Sequence, residues 1–239
     1  PLLQQLHSGH SVSERIAAID KICPILEAYP ITNVLAIWIT AEDLANNEND
    51  SAARLAAYKL LKSCVQLPDL SPAERSVFFR AIAANRNEAE FDTRLDILIA
   101  LTNNGRNVEG FEALRSGTLA KALARRFDIV TNARKARRKL RADVDLDILE
   151  SGLARLFQFV VDVLKFNAKV FQEHDVEFLL EQINAICRQT ISETDIVNSV
   201  SVFNALITYT RIPRQSLKPC LETLCDVYRQ LESCRKQAW

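Results

Sequence analysis

The stretch Leu149-Glu150-Ser151-Gly152-Leu153-Ala154-Arg155-Leu156-Phe157-Gln158-Phe159-Val160-Val161-Asp162-Val163-Leu164 reads as a helix that is apolar on most of its sides. Leu153, Leu156, Phe157, Val160, Val161 and Leu164 recur at helical spacing, and the few charges do not make a broad polar face. A helix of this kind packs between neighbours rather than lying on a surface. Its apolar core, Leu156 to Leu164, is interrupted by Gln158 and Asp162. It falls well short of the ~20 residues that span a bilayer. The neighbours that enclose it must come from the rest of the chain.

Working outward, every periodic segment is helical. Toward the C-terminus the stripes are Val176, Leu179, Leu180, Ile183 and Cys187, then Ile196, Val200, Phe203 and Ile207 after Ser192, then Leu217, Leu221, Leu224, Tyr228 and Leu231. At the other end, Val12, Ile16, Ile19, Cys23 and Leu26 follow a capping box of Ser11 and Glu14, and the helix is expected to end before Pro30. A second helix runs through Leu35, Trp38, Ile39 and Leu44, and Asn46 to Asp50 reads as a loop. A third carries Ala53, Ala57, Leu60, Leu61 and Cys64. A fourth opens with Ser71-Pro72 and Glu74 and buries Val77, Phe78, Ala81 and Ile82. A fifth carries Phe91, Leu95, Leu98, Ile99 and Thr102 and stops at Asn103-Asn104-Gly105, where Gly tolerates positive φ.

The result is about nine helices of roughly 14–20 residues with no competing strand period. Helix pairs recur at about 40 residues, the spacing of HEAT and armadillo units. The expected fold is therefore all-α, an α-solenoid of HEAT/armadillo-like helix pairs, with a compact bundle as the competing arrangement. The expected organisation is a single domain over 1–239, with helix blocks at 11–107 and 148–236 separated by a charged insertion at 108–147. That middle segment has weak periodicity, Gly110 and Gly117 interrupt it, and it reads as partly helical.

Composition agrees with this. Of 239 residues 48% are apolar, while Gly (5) and Pro (7) are scarce, which disfavours sandwiches, barrels and dinucleotide folds. Thirty Lys and Arg balance thirty Asp and Glu, so net charge exerts no global pull toward nucleic acid or membrane. The six cysteines, 23, 64, 187, 220, 225 and 234, form no C-x-x-C pair and read as buried reduced thiols. Reduced thiols imply a reducing compartment, cytosol or nucleus; no signal peptide opens the sequence, and a cytoplasmic setting is expected.

Nothing points to catalysis. No phosphate-binding glycine loop, nucleophile elbow or zinc-binding motif occurs, and the carboxylates are scattered. His7 and His10 have metal-like spacing but no matching ligand cluster, and His174 lies in Glu173-His174-Asp175 at a helix start. No cofactor or metal is expected. The charged feature is the run from Arg125 to Arg141, with eight basic residues and one acid, Asp128, followed by Asp143, Asp145 and Asp147. It reads as a solvated insertion, a dock for an acidic protein, or an anionic-lipid or nucleic-acid contact; only Phe127 interleaves, which argues against nucleic acid. Candidate partner-binding residues are Arg134, Lys135, Arg137 and Arg138 in this run, and Phe79 and Phe159, which lie off the main stripes of their helices.

Two stretches carry a more specific signal. One is Arg94-Leu95-Asp96-Ile97-Leu98-Ile99-Ala100-Leu101-Thr102-Asn103-Asn104-Gly105-Arg106. The other is Val163-Leu164-Lys165-Phe166-Asn167, followed by Cys187-Arg188-Gln189-Thr190, Ile212-Pro213-Arg214-Gln215-Ser216-Leu217 and Thr223-Leu224-Cys225. In this order they resemble the N-terminal region of the tuberin family over about residues 12–107 and 148–230. Physically, Gly105 caps a helix, Arg106 would bond loop carbonyls, Phe166 packs, and Asn167 caps.

The resemblance implies a HEAT-type solenoid that binds the coiled coil of hamartin. It implies an indirect link to a Rheb-type small GTPase in TOR signalling, through a complex that activates GTP hydrolysis. The family's catalytic domain is C-terminal and unmatched by these residues, so no activity of this chain's own is expected. It also implies membrane contact only by recruitment of the complex to lysosomal or vacuolar membranes. Segment 108–146 is longer than the animal pattern, which points to a fungal or otherwise distant relative.

Overall fold

Local chemistry sets the helix ends. The Ser11 hydroxyl accepts from the Glu14 N–H at 3.3 Å, and the Glu14 carboxylate accepts from the Ser11 N–H at 2.9 Å. This capping box opens α1 (Val12–Ala28) as the sequence predicts. Ser71 and Glu74 repeat the device at the start of α5 (Pro72–Ala84), at 2.8 and 3.3 Å. The computed structural model describes residues 2–29, 31–66, 70–84, 88–108, 118–140, 145–190 and 192–237, excepting the side chains of 84, 118, 138–140 and 233–237. Among the described residues there are eleven α-helices and no strand. The others are α2 (Val34–Ile39), α3 (Glu42–Ala45), α4 (Ser51–Val65), α6 (Phe91–Leu101), α7 (Thr118–Leu140), α8 (Leu146–Asn167), α9 (Glu173–Gln189), α10 (Glu193–Tyr209) and α11 (Arg214–Gln237).

The single second helix expected through Leu44 is instead two short ones. The buried Arg15 guanidinium explains the break: it donates to the Thr40 carbonyl at 3.0 Å, to Asp43 at 2.8 and 2.5 Å, and to the Leu6 carbonyl at 2.7 Å. A side chain thus bonds the backbone where the helix would continue. The hydrogen bonds from Arg15 hold the Asp43 carboxyl below its ordinary range. Pro24 and Pro219 sit inside α1 and α11. Each lacks the N–H that would bond four residues back, so the carbonyls of Asp20 and Gln215 lose their helical partners.

The chain divides into two compact units, residues 1–103 and 104–239. In the first, α1, α4 and α6 run parallel in one row. Asp20 pairs with Lys59 at 2.6 Å and Glu27 with Ser63 at 3.1 Å; Glu90 pairs with Arg54 at 3.0 Å and Asp96 with Lys62 at 3.0 Å. Partners advance together along both helices and lie 34–39 residues apart. Trp38 of α2 meets Phe78 of α5 edge to face, with centroids 6.5 Å apart, which links the helices outside that row.

The second unit has the same logic. Gln215 bonds Glu177, the Asn184 amide reaches Cys220 Sγ at 3.7 Å, and Arg188 reaches Thr223 at 3.4 Å, so α9 and α11 are also parallel, at steps of 35–38 residues. α7 packs on α9, forming the row α7, α9, α11; α8 packs on α10, forming the second row. Two rows of helices, each stacking on the next-but-one helix in sequence, are the arrangement of an α-solenoid. The repeat step is close to 36 residues rather than 40.

The segment expected as a partly helical insertion at 108–147 contains one of these helices. Residues 118–140 are a full member of a row, burying Leu119, Leu123, Phe127 and Val130. The stripe is narrow, and basic residues outnumber it along the same helix. Residues 109–117 and 141–144 lie outside the described part.

Buried and exposed pairs between neighbours in a row differ in weight. Arg54 and Glu90 are both buried, and Arg54 also donates to the carbonyls of Asn47 and Glu48 at 2.7 and 3.0 Å. Asp20 and Lys59 are more than half exposed. Removing one charge of a buried pair strands the other. Glu90→Gln should cost about 3 kcal/mol in urea unfolding, and Asp20→Ala no more than about 0.5 kcal/mol. Equal midpoints for the two variants would contradict this ranking.

Candidate partner-binding surface

The basic run lies on α7, and helical geometry divides it. Arg126 is buried, and Arg125, Lys135 and Arg137 are exposed. Arg137 comes within 4.0 Å of Asp147, and the Arg138 side chain lies outside the described residues. Arg134 turns inward. Its Nε donates to Glu150 of α8 at 2.7 Å, and its Nη1 and Nη2 donate to Asp195 of α10 at 2.5 and 3.3 Å. Asp195 is buried and also accepts from the Thr190 hydroxyl at 2.8 Å. Burial works against the guanidinium charge, but the bonds to Asp195 and Glu150 outweigh it, so Arg134 titrates above the ordinary arginine range. Arg134 therefore fastens three helices together and is not free to meet a partner.

Phe159 requires the same correction. It is 2% exposed and belongs to the core of α8, because that helix is packed between neighbours and Val163, also off the stripe, is buried with it. Phe79, on α5 in the first unit, is half-buried. The exposed candidates that share an element are Lys135 and Arg137.

Within the unit 104–239, Gly105 and Arg106 meet the Val163–Asn167 stretch. Asn103, Asn104 and Gly105 all have positive φ, at 48°, 54° and 75°. A Cβ on Gly105 would lie 2.9 Å from the Val163 backbone nitrogen and 3.1 Å from the Asp162 carbonyl carbon, so glycine allows this turn to sit directly against α8. The Asn167 amide donates to the Gly105 carbonyl, and the bond is buried. The Arg106 guanidinium stacks over the Phe166 ring at 4.9 Å, and Lys165 Nζ lies 5.2 Å from the same ring. Asn-Gly-Arg and Lys-Phe-Asn are thus the two halves of one contact, with Arg106 on an aromatic face rather than on loop carbonyls.

The family described as "Domain of unknown function (DUF3384)" matches residues 12–239. The "Tuberous sclerosis 2 protein homolog" of Schizosaccharomyces pombe is 28% identical over 216 residues, covering 88% of this chain. A solved structure described as "Structure of the TSC2 N-terminus" superposes with a TM-score of 0.85 at 32% identity, over all of this chain and 57% of that one. The chain belongs to this family, as a tuberin-type N-terminal domain of fungal kind. An uncharacterized S. pombe protein, C18B11.11, is 22% identical over 158 residues, 66% of this chain. The chain spans 16% and 12% of the lengths of these two yeast relatives.

His7, His10 and His174 are exposed, and His174 stands in the first turn of α9. Among the described residues no group of three or more His, Cys, Asp or Glu side chains is placed to hold a metal ion, and no helix is long and apolar enough to cross a membrane. Cys23, Cys64, Cys187 and Cys220 are buried. Desolvation raises all four thiols, Cys64 to about 12, which keeps them protonated and poor nucleophiles. Cys225 departs from the sequence expectation: it is exposed.

The surface that sequence reasoning missed lies on α11. Leu217, Leu221 and Tyr228, expected in its buried stripe, are 42%, 57% and 65% exposed, while Cys220, Thr223 and Val227 face inward.

The turn against α8 yields a prediction. Gly105→Ala should destabilise the domain by about 2 kcal/mol or more, from positive-φ strain plus a backbone clash. Gly9→Ala, with no atom within 4 Å of the added Cβ, is the matched control. An unchanged midpoint for Gly105→Ala in thermal or urea unfolding would contradict the close approach.

Proposed function

We propose that this domain is a non-catalytic scaffold that binds a hamartin-type coiled coil. In the longer protein it would help assemble a complex that stimulates GTP hydrolysis on a Rheb-type small GTPase and restrains TOR signalling. The observation that carries the reading is the superposition of the whole chain on the TSC2 N-terminus at a TM-score of 0.85. Stacked helix pairs present extended surfaces along their rows, and such surfaces suit an elongated helical partner. The expected setting is the cytoplasm, with membranes of the lysosome or vacuole reached through recruitment of the complex. The lipid or nucleic-acid alternative is weakened because Arg126 and Arg134 point inward and no longer count toward a basic surface.

Titration calorimetry with a purified hamartin coiled coil tests this. The folded domain should bind with measurable heat, and the domain alone should leave the GTP hydrolysis rate of Rheb unchanged. Absence of binding by well-folded protein would overturn the proposal.

A further inference from the structure

Phe166 holds two cations. The Arg106 guanidinium lies over its ring at 4.9 Å from the centre, and Lys165 Nζ lies 5.2 Å from the same centre. Both side chains are exposed, and neither has a hydrogen bond or a carboxylate partner among the described residues. The ring attracts each cation, while the two like charges repel each other. Asp162, one turn back on α8, makes no ion pair with either; it accepts from the Gln158 amide at 3.1 Å.

The cluster is held in place by the packing beneath it. Arg106 follows Gly105 and Phe166 precedes Asn167, the two residues joined by the buried amide-to-carbonyl bond. Gly105 itself lies against the Val163 backbone. The cations are therefore positioned before anything binds, which lowers the cost of binding. Positions 106 and 165–166 also lie far from either end of the sequence.

The chemistry of the cluster indicates its occupant. A guanidinium stacked on a ring keeps its N–H fork available, and that fork matches a planar carboxylate. Phe166 is 40% exposed, so apolar surface stays open beside the cations for the stem of a side chain. Even counting Lys169 on the following turn, the basic residues are fewer than the roughly four or more that gather anionic lipid headgroups. We propose that Arg106, Phe166 and Lys165 form a docking site for an acidic segment of a partner protein. A Glu or Asp carboxylate takes the Arg106 fork with Lys165 beside it, and a neighbouring apolar side chain rests on Phe166. The inference rests on reading the chain as a binding module and not on which partner that is.

The probe is the capped peptide Gly-Glu-Leu-Glu-Gly, titrated into the isotope-labelled 239-residue chain and followed by NMR. The Arg106 Nε–Hε resonance and the backbone amides of 105–107 and 165–167 should shift and saturate, with an affinity that weakens as salt rises. Arg106→Gln and Lys165→Gln should each weaken it about threefold or more, with helical circular dichroism unchanged because both side chains are exposed. Phe166→Leu should weaken it as well, by releasing the guanidinium. Lys135→Gln with Arg137→Gln on α7 should leave it intact. Absence of shifts, equal shifts with Lys in place of Glu in the peptide, or insensitivity to both Arg106→Gln and Lys165→Gln overturns the proposal. So does a tighter response to inorganic phosphate than to the peptide, or binding to phosphatidylserine vesicles that Arg106→Gln abolishes, because the site would then serve a phosphate group. Failure of the hamartin coiled coil to bind would overturn the proposed function and leave this result standing.

Discussion

The enclosure of α8 is the constraint on which the 104–239 unit depends. Phe157, Phe159, Val160, Val163 and Leu164 are all buried, and they spread around more of the helix than one neighbour can cover. Fully burying one such side chain contributes about 1.5–3 kcal/mol, far more than any surface ion pair. A helix of this composition demands partners on two sides, and α7 and α10 supply them. For that reason the basic segment cannot be an optional insertion. Removing it would expose one side of this apolar helix.

The polar contacts have a different role. In three places a buried or half-buried arginine joins elements distant in sequence: Arg15 to Asp43, Arg54 to Glu90, and Arg134 to Glu150 and Asp195. Arginine suits the task because its planar fork satisfies carboxylates and carbonyls at once. A buried ion pair is weak evidence of net stability, since desolvation offsets much of the attraction. What these contacts contribute is selection. A helix displaced by one turn within its row would leave the arginine charge buried and unmatched. The recurrence of partners at 34–39 residues along each row accompanies that selection in both units.

Much of the fold was legible because its signals are local. Ser11 with Glu14, Ser71 with Glu74, and the Asn-Asn-Gly turn each fix a helix end through chemistry within a few residues. The misreadings share a different cause. The break after Ile39 depends on Arg15, far away in sequence. Arg134 looked like part of a basic surface because a sequence shows charge but not direction, and its acids lie 16 and 61 residues on. On α11 the stripe Leu217, Leu221 and Tyr228 has ordinary core spacing, and which side of the helix meets α9 is decided by Cys220, Thr223 and Val227. Family likeness was legible in Asn-Gly-Arg and Lys-Phe-Asn, and the structure supplies its reason: a glycine pressed on α8 and an asparagine amide bonded to its carbonyl.

Hydrogen exchange on the free domain tests the central claim, that α7 and α8 are integral parts of one stacked array. Amides of α8 should be the slowest to exchange between residues 104 and 239, and those around Leu123 to Val130 of α7 should be protected nearly as well. Exchange of residues 118–140 at the rate of an unstructured chain, with α8 still protected, would contradict it.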